Sequence, residues 1–387
     1  MTIIVGAGPA GLAAALGLKE PGMILERNAF AGKKLLISGS GQCNLTNDLS
    51  ARDFLSRLGE FQNFLKPAYY EFDNRRLMQL LADNGCPLVT RKDGKVFPRS
   101  LHSADVRNTL LGLVERSGHS IVYNTRIQRI SHGPKGFQLY AGAGGSYTAS
   151  RLILCCGGAA YPETGSDGGG YNLAKELGHT VLEPRPALSS IRIRSFNHFA
   201  ACAGISLQNV KLKLGKKCYS GDLLFTHHGF SGPLILDHSY RMQIPETIHF
   251  GFADPERFEV LLRANSSKKL SRILHLIALP KSLCGAILKE LEIEDVQAGN
   301  LSARQRNQII QWLGNAPFEI SAIAGFEQAM SDFGGVKLKE VKASSLESSI
   351  IKGLFFAGES LAYSLPTGGF SIQMAFSTGY LAGRSCN

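Results

Sequence analysis

The 387-residue sequence lacks any CxxC pair, and this absence limits what its cysteines can do. Zinc sites and thioredoxin-type redox pairs use short, regular cysteine spacings, so the sequence predicts neither, and no metal site is expected. In a chain of this length the cysteines are expected to be reduced, mostly buried thiols of a cytoplasmic protein. The eight cysteines are Cys43, Cys86, Cys155, Cys156, Cys202, Cys218, Cys284 and Cys386.

Three further absences exclude other classes of protein. No apolar run approaches the roughly 20 residues that span a bilayer, so no membrane partner is expected. The first apolar strand begins by Ile3, which leaves no room for a signal peptide. No G-x-S-x-G elbow is present, so a hydrolase triad is not predicted.

The sequence also has no long basic arm, although it is basic overall. Its 42 lysines and arginines exceed its 31 acidic residues and give a formal charge of +11. The basic residues are scattered in small groups, and net charge by itself does not predict a nucleic-acid partner. An RNA-modifying enzyme is kept as an alternative, because the charge would suit RNA.

Glycine, in contrast, is abundant, and its 43 residues concentrate in short runs. Near the N-terminus, the buried-strand pattern Ile3–Val5 is followed by Gly6, Gly8 and Gly11 and then by an alanine-rich helix. This G-x-G-x-x-G spacing between a strand and a helix predicts a turn that binds a pyrophosphate at the helix N-terminus. A second strand ends at Glu26, whose carboxylate is expected to accept a hydrogen bond from a ribose hydroxyl.

A similar strand–loop–helix pattern appears near the C-terminus. The apolar stretch GLFFAGES is followed by PTGGF and an apolar helix pattern. Glu359 is predicted to contact the ribityl chain of a flavin, and Gly368, Gly369 and Phe370 to lie near its ring. Two such glycine-rich junctions are expected where one extended dinucleotide spans a single sheet, so the sequence predicts FAD.

Together these stretches resemble the BaiN/YhiN-like, or aminoacetone-oxidase-like, family of FAD-binding flavoproteins in the NAD(P)/FAD-dependent oxidoreductase class. The matching stretches are VGAGPAG (5–11), GKKLLISGSGQCNLTN (32–47), KVFPRSLHSADV (95–106), LILCCGGAAYPETGSDGGGYNLAKELGH (152–179), LLFTHHGFSGP (223–233), GGVKLKEV (334–341) and GLFFAGES with TGGFSIQMAFSTGYLAG near the end.

The resemblance implies cofactor contacts beyond those of the two glycine-rich junctions. Ile127 matches the position where this class places backbone groups against the adenine. The residues that would line the FAD where its pyrophosphate meets the flavin are Lys34, Ser38, Gly41, Gln42, Cys43 and Asn44. The complete set of predicted cofactor-binding residues is Gly6, Gly8, Pro9, Ala10, Gly11, Glu26, Arg27, Lys34, Ser38, Gly41, Gln42, Cys43, Asn44, Ile127, Gly157, Gly158, Gly358, Glu359, Gly368, Gly369 and Phe370.

The chain departs from the family pattern at three places. Gln42 stands where the family usually has arginine, which removes a positive charge near the cofactor. Residues 360–366 replace a loop that usually contains aspartate, and Cys155–Gly157 replaces Ala-Thr-Gly. Because the first two changes lie near the flavin, the substrate and the reactivity are left open.

The predicted fold is α/β: a Rossmann-like FAD-binding domain of residues 1–188 and 330–387, with a β-rich insert (189–264) and a helical insert (265–329). The predicted function is hydride transfer between flavin N5 and a small organic substrate, either reduction of an activated C=C bond or oxidation of an amine. NAD(P)H would dock transiently if it serves as the reductant. Two alternatives are kept: a flavin-dependent RNA-modifying enzyme, and a flavin-binding regulatory protein without turnover. Catalytic residues are not identified, although Tyr161, His227, His228 and Cys43 are candidates, and the oligomeric state is left open.

Overall fold

The computed structural model describes residues 1–142 and 144–386, in which the chain leaves one unit and later returns to it. The first unit contains Met1–Pro186 and Phe326–Asn387, and the second contains Ala187–Gly325. The strands are β1 (Thr2–Val5), β2 (Met23–Leu25), β3 (Thr46–Asn47), β4 (Leu88–Thr90), β5 (Lys95–Pro98), β6 (Ser120–Val122), β7 (Ile127–Gly133), β8 (Gly136–Ala141), β9 (Ser146–Ala149), β10 (Arg151–Leu154), β11 (Val181–Ala187), β12 (Ile191–Ile193), β13 (Ser206–Leu214), β14 (Lys217–Phe225), β15 (Gly229–Ser231), β16 (Glu246–Gly251), β17 (Ala316–Ile323), β18 (Ser331–Val336) and β19 (Leu354–Phe356).

The helices follow the same chain order. They are α1 (Pro9–Gly17), α2 (Lys33–Ile37), α3 (Ala51–Arg57), α4 (Gln62–Glu71), α5 (Asn74–Asp83), α6 (Ser103–Arg116), α7 (Gly169–Glu176), α8 (Pro233–Leu236), α9 (Pro255–Ala264), α10 (Leu270–Leu276), α11 (Lys281–Glu290), α12 (Ala303–Asn315) and α13 (Phe370–Ser385). Within the described residues, none of them is long and apolar enough to cross a membrane.

The first unit is built on a five-stranded parallel sheet in the order β19–β10–β1–β2–β6. Its strands are short apolar runs, and Ile3, Ile4, Leu152 and Ile153 are completely buried. Burial on both faces is expected for parallel strands, because helices cover each face of such a sheet. The sheet confirms the predicted Rossmann-like fold, with the C-terminal strand β19 completing the edge beside β10.

The first and last helices of this unit pack closely through small residues. A Cβ atom added at Gly379 of α13 would lie 2.8 Å from the carbonyl carbon of Ala10 in α1. Gly383 approaches Ala14 in the same way, and α1 itself carries a run of buried alanines. Small residues at these positions let the two helix backbones approach, so the N-terminal and C-terminal segments form one layer on the sheet.

The second unit is a closed barrel of antiparallel strands with helices α9–α12 inserted before its last strand. The strand order around the barrel is β12–β15–β14–β13–β16–β17. Strand β13 alternates between exposed and buried residues, as expected when one face lines a core. Because β17 follows the helices, the β-rich and helical parts interleave, whereas the sequence predicts them as consecutive segments that meet at residue 264.

Candidate functional site

Four parallel strands of the first unit end at the same edge of the sheet, and the glycine-rich segments follow them there. Strand β1 leads into Gly6–Gly11, β2 into Glu26, β10 into Gly157 and Gly158, and β19 into Gly358 and Glu359. In open parallel sheets, ligands bind in the crevice outside the carboxyl ends of the strands. The sheet therefore brings together predicted residues that are separated by more than 300 positions in sequence.

The turn after β1 requires glycine at two positions. Gly6 has φ +103°, and a Cβ atom there would lie 2.5 Å from the carbonyl oxygen of Cys155. A Cβ at Gly11 would overlap the carbonyl oxygen of Gly6, so only glycine permits the helix to start so close to the strand. In contrast, a Cβ at Gly8 would meet no atom within 4 Å, so the backbone of Gly8 borders open space.

Glu26 is held rigidly at the end of β2. It is 5% exposed, and its Oε2 accepts a hydrogen bond from the backbone N–H of Ala7 at 2.7 Å. Its Oε1 accepts two hydrogen bonds from Asn28, at 2.8 Å from the backbone and 2.7 Å from Nδ2. A carboxylate offers about four acceptor positions, so one remains for a hydroxyl group of a ligand.

Arg27 connects the loop after β2 to the loop after β10. Its guanidinium forms an ion pair with Asp167 at 2.7 Å and donates to the carbonyl of Gly165 at 3.0 Å. Asp167 also pairs with Arg126 at 3.0 Å, next to Ile127 at the start of β7. Ile127 is buried in a three-stranded sheet rather than at the parallel-sheet edge, and its contact with adenine stays a prediction.

The Ser38–Asn44 loop folds on itself by short-range hydrogen bonds. The Cys43 and Gly41 N–H groups both donate to the carbonyl of Ser38, at 2.9 Å and 3.1 Å. Gln42 Oε1 accepts a hydrogen bond from Arg91 at 2.7 Å, so a guanidinium lies beside the position where the family usually has arginine. Cys43 is completely buried, and this burial raises the pKa of its thiol to about 12.

Glu359 links this region to the C-terminal half of the unit. Its Oε2 forms an ion pair with Lys34 at 2.8 Å, and its Oε1 accepts a hydrogen bond from Ser331 at 2.7 Å. The Lys34 and Glu359 side chains are 24% and 17% exposed, so the pair is partly shielded from water. Both carboxylate oxygens are thus engaged, and its predicted contact with the ribityl chain remains a prediction.

Sequence reasoning missed Asp332, an acid in β18 that is 2% exposed. Its Oδ2 accepts hydrogen bonds from the Tyr171 hydroxyl at 2.7 Å and from the Ala159 N–H at 3.0 Å, while its Oδ1 has no partner among the described residues. Burial and then the charge of Glu359 raise the pKa of Asp332 to about 6. Burial, followed by the Asp332 charge, raises the pKa of Tyr171. The stretch SDFGGV gives no clear signal, because its two glycines weaken the strand pattern and a single acid does not indicate its own burial.

The N-terminus of α13 lies against the segment that follows the Ser38–Asn44 loop. A Cβ at Gly369 would lie 2.6 Å from the carbonyl carbon of Thr46. Asn47 Nδ2 donates to the Gly368 carbonyl at 3.4 Å, and the Phe370 ring packs on Phe54 with centroids 4.7 Å apart. Phe370 is therefore a core residue of the first unit, and contact of its ring with a flavin stays a prediction.

The catalytic candidates are divided between the two units, with Cys43 and Tyr161 in the first and the two histidines in the second. Tyr161 has φ 55°, lies in the loop after β10, and donates its backbone N–H to Phe326 at 2.9 Å. His227 and His228 are exposed residues of the second unit. Among the described residues, no group of three or more His, Cys, Asp or Glu side chains is placed to hold a metal ion.

Two features of the first unit fit FAD. Helices α1 and α13 both begin without a side-chain cap and without an acid in the first turn, so their N-terminal N–H groups and positive dipole ends are open to an anion. Within the described residues, buried polar atoms lacking a hydrogen-bond partner occur around the same loops, at Asn44 Oδ1, Thr46 Oγ1, Asn47 Oδ1 and Ser360 Oγ. Such atoms in a folded protein indicate a ligand or water that completes their hydrogen bonding.

A comparison with known families agrees with this fit. The profile of the HI0933-like protein Rossmann domain matches residues 1–385. The chain belongs to this family. Membership of the HI0933-like family confirms the predicted resemblance, and it makes the protein an FAD-dependent oxidoreductase.

Relatives of the HI0933-like chain match it over nearly its whole length. It is 30% identical to the 3-dehydro-bile acid delta(4,6)-reductase of Clostridium scindens, over 99% of this chain and 98% of the relative. It is 27% identical to the ribosomal RNA dihydrouridine synthase of Haemophilus influenzae, over 98% of this chain and 96% of that protein. The structure of a 3-ketosteroid-delta4-(5alpha)-dehydrogenase from Rhodococcus jostii superposes with a TM-score of 0.53 at 15% identity, covering 100% of this chain and 96% of that one, and shows a shared fold.

Proposed function

We propose that this protein uses FAD to reduce a carbon–carbon double bond that is conjugated to a carbonyl group. The observation that carries the proposal is the full-length similarity to a reductase of a 3-dehydro-bile acid. Its name describes double bonds at positions 4 and 6, in conjugation with a carbonyl at position 3. The 5,6 double bond that a dihydrouridine synthase reduces is likewise conjugated to a ring carbonyl. One reaction type therefore accounts for both relatives, and it favours C=C reduction over amine oxidation.

The residues at the edge of the parallel sheet would hold the cofactor. The Gly6–Gly11 turn and the N-terminus of α1 suit the pyrophosphate, because Gly8 borders open space and the helix N–H groups are free of a cap. Glu26 retains an acceptor position for a ribose hydroxyl. The N-terminus of α13 suits the electron-rich side of the flavin ring.

When bound, FAD supplies the hydride, and the chain must position the substrate and provide a proton. Among the candidates, we propose Tyr161 as the proton donor, because it is half-exposed and its hydroxyl makes no hydrogen bond among the described residues. Cys43 is disfavoured, since its buried thiol does not ionise near neutral pH. Asp332 is proposed as a positioning residue, because it accepts hydrogen bonds from the Ala159 N–H, two residues before Tyr161, and from Tyr171.

The proposal is tested with the purified, FAD-loaded protein under anaerobic conditions. The flavin is first reduced with NADH, with NADPH or with dithionite, and the reduced protein is then mixed with a 3-oxo-4,6-diene steroid or with the matching saturated ketone. The proposal predicts that the dienone restores the oxidised flavin spectrum and that the saturated ketone does not. Reduction of the oxidised flavin by a panel of amines, with no response to any enone, would instead establish amine oxidation.

A second candidate function, reduction of uridine in RNA, is favoured by one surface of the barrel. Lys211 and Lys213 are exposed on one face of β13, and the turn into β14 adds Lys216 and Lys217. This basic hairpin suits the phosphate backbone of RNA, and the 27% identical relative is named for ribosomal RNA. RNA affinity should then fall steeply between low and moderate salt, and an affinity that does not change with salt would exclude this function.

A further inference from the structure

Within the first unit, the segment between β10 and α7 is fastened to the segment that follows β2. Residues 163–168 of the former, called the strap, include three consecutive carbonyl groups that each accept a hydrogen bond from a side chain of residues 27–33. The pairs are Lys33 Nζ with the Glu163 carbonyl at 2.6 Å, Asn28 Nδ2 with Thr164 at 3.0 Å, and Arg27 Nη1 with Gly165 at 3.0 Å. The strap is therefore held along its length rather than at one point.

Asp167 adds two ion pairs to these hydrogen bonds. Its Oδ1 lies 2.7 Å from the Arg27 guanidinium, and its Oδ2 lies 3.0 Å from that of Arg126. The Gly169 N–H donates to Oδ1 at 3.0 Å, which fixes the aspartate side chain in a turn. One carboxylate thus joins the strap to the segment after β2 and to the residue that precedes β7.

Glycines allow the strap to lie this close to its neighbours. Gly165 has φ +98°, and a Cβ atom there would lie 2.7 Å from Asn28 Nδ2 and 3.2 Å from Arg27 Cδ. On the other side, a Cβ at Gly157 would lie 2.8 Å from Ser166 Oγ. The strap accordingly packs on the end of β10 as well as on the segment after β2.

The order of the strands places the strap relative to the turn after β1. Strand β1 lies between β10 and β2 in the parallel sheet. Adjacent strands stand about 4.8 Å apart, so the ends of β10 and β2 lie roughly 10 Å apart. A segment that leaves β10 and is bonded to the segment after β2 must therefore cross the width of β1 at its carboxyl end, where the Gly6–Gly11 turn begins.

We propose that the strap encloses the pyrophosphate of FAD over this turn, and that Asp167 is the positioning residue that keeps the strap closed. The proposal rests on the position proposed above for the pyrophosphate. FAD then leaves only when the strap separates from the segment after β2, which breaks both ion pairs of Asp167. Arg27, one of the predicted cofactor-binding residues, acts through Asp167 rather than on the phosphates.

The rate of FAD release tests the strap. The FAD-loaded protein is mixed with an excess of an apoprotein that captures free FAD, and the loss of bound flavin is followed by absorbance. Asp167→Asn should release FAD about tenfold faster than wild type, because charged hydrogen bonds that hold the strap are lost. An unchanged rate would refute the strap.

Glu71→Gln is the matched control for this charge removal. Glu71 also pairs with two arginines, Arg76 at 3.9 Å and Arg384 at 2.8 Å, and its side chain is 25% exposed, against 26% for Asp167. It lies at the end of α4 and pairs with the last turn of α13, away from the strap. Glu71→Gln should release FAD at the wild-type rate.

A double variant distinguishes the two possible roles of Arg27. If Arg27 acts through Asp167, Arg27→Gln should also release FAD faster, and Arg27→Gln/Asp167→Asn should be no faster than the quicker single variant. If Arg27 instead binds the phosphates, Asp167→Asn frees its guanidinium and should slow FAD release. Slower release, or single effects that multiply in the double variant, would contradict the positioning role.

Salt provides a readout that a merely structural role would not change. Raising the ionic strength from about 0.1 M to 1 M shortens the Debye length from about 10 Å to about 3 Å and weakens partly exposed ion pairs. Release from wild type and from Glu71→Gln should accelerate more steeply with salt than release from Asp167→Asn. Equal salt dependence in all three proteins would contradict the strap.

The strap and the proposed function fail separately, because FAD release is measured without substrate. Faster release from Asp167→Asn in a protein that reduces no enone would support the strap and contradict the proposed function. Enone reduction by a protein whose release rate is unchanged in Asp167→Asn would support the function and contradict the strap.

Discussion

Replacing Gly379 by alanine should separate the two helices that join the ends of the first unit. The added Cβ would lie 2.8 Å from the carbonyl carbon and 2.9 Å from the Cα of Ala10, and closer still to its carbonyl oxygen. Ordinary van der Waals contact begins at 3.4 Å. Because the obstacle is helix backbone rather than a flexible side chain, α1 and α13 must part by at least about 0.6 Å.

The expected loss of stability can be taken from other overpacked helix contacts. Overpacking of this kind typically destabilises a protein by about 1–3 kcal/mol, which lowers the folding equilibrium constant roughly 5- to 150-fold. The shift also moves α1, whose N-terminus carries the Gly6–Gly11 turn. We therefore expect Gly379→Ala to weaken FAD retention as well as stability.

Urea denaturation, followed by far-UV circular dichroism, measures the free energy of unfolding. The ratio of flavin absorbance to protein absorbance measures how much FAD the purified protein retains. Gly112→Ala is the matched control, because it lies within a helix of the same unit and its added Cβ would meet only the flexible end of Arg116, at 3.2 Å. The control should be neutral or stabilised by up to about 1 kcal/mol, since alanine favours helix over glycine.

If Gly379→Ala unfolds at the same urea concentration as Gly112→Ala and keeps its full complement of FAD, then the two helices do not pack as closely as described. A loss of FAD at unchanged stability would mean that α1 moves without cost, and it would contradict the overpacking argument alone.

Three further predictions concern the acids and the thiols. The pKa of Asp332 is raised to about 6, above the ordinary aspartate value of about 3.9, so the folded state binds this proton more tightly than the unfolded state does. The free energy of unfolding should therefore fall as pH rises from about 4 to 6, as urea midpoints across this range would show. Asp332→Asn should lose the part of this pH dependence that comes from Asp332. Glu359→Gln should cost about 1–3 kcal/mol in urea denaturation, because Lys34 loses its acid, and a double variant with Lys34→Met should cost less than the sum of the single changes. Iodoacetamide at neutral pH should modify the exposed thiol of Cys218 in the native protein but not that of Cys43, because burial raises the pKa of the Cys43 thiol to about 12. Mass spectrometry of the peptides measures the labelling, and rapid labelling of Cys43 would contradict its burial.

The FAD-binding half of the fold was predictable because its signals are local. The spacing of Gly6, Gly8 and Gly11 matches the steric demands of the turn, where Gly6 faces Cys155 and Gly11 faces Gly6. The apolar run before Glu359 likewise indicates a buried strand from its own composition. Strand–turn–helix units of this kind carry their geometry within about 30 residues.

The barrel and the Asp332 network were not predictable in the same way, because they depend on distant partners. Alternation identifies β12 as a strand, but nothing local indicates that it pairs with both β15 and β17. A single acidic residue in the sequence does not indicate whether its side chain is exposed or buried. Asp332 Oδ2 accepts hydrogen bonds from Tyr171 and Ala159, which lie 161 and 173 residues earlier, and hydrophobic periodicity carries no information over that range.

The return of the chain to its first sheet has a consequence for synthesis on the ribosome. Strands β12–β17, which close the barrel, are all translated before β19 and α13, so the barrel has its complete set of strands while the parallel sheet still lacks an edge. A nascent chain that stalls before residue 354 would carry a barrel with all its strands and a parallel sheet that still lacks β19. Cofactor capture by the sheet is thereby deferred to the last stage of translation.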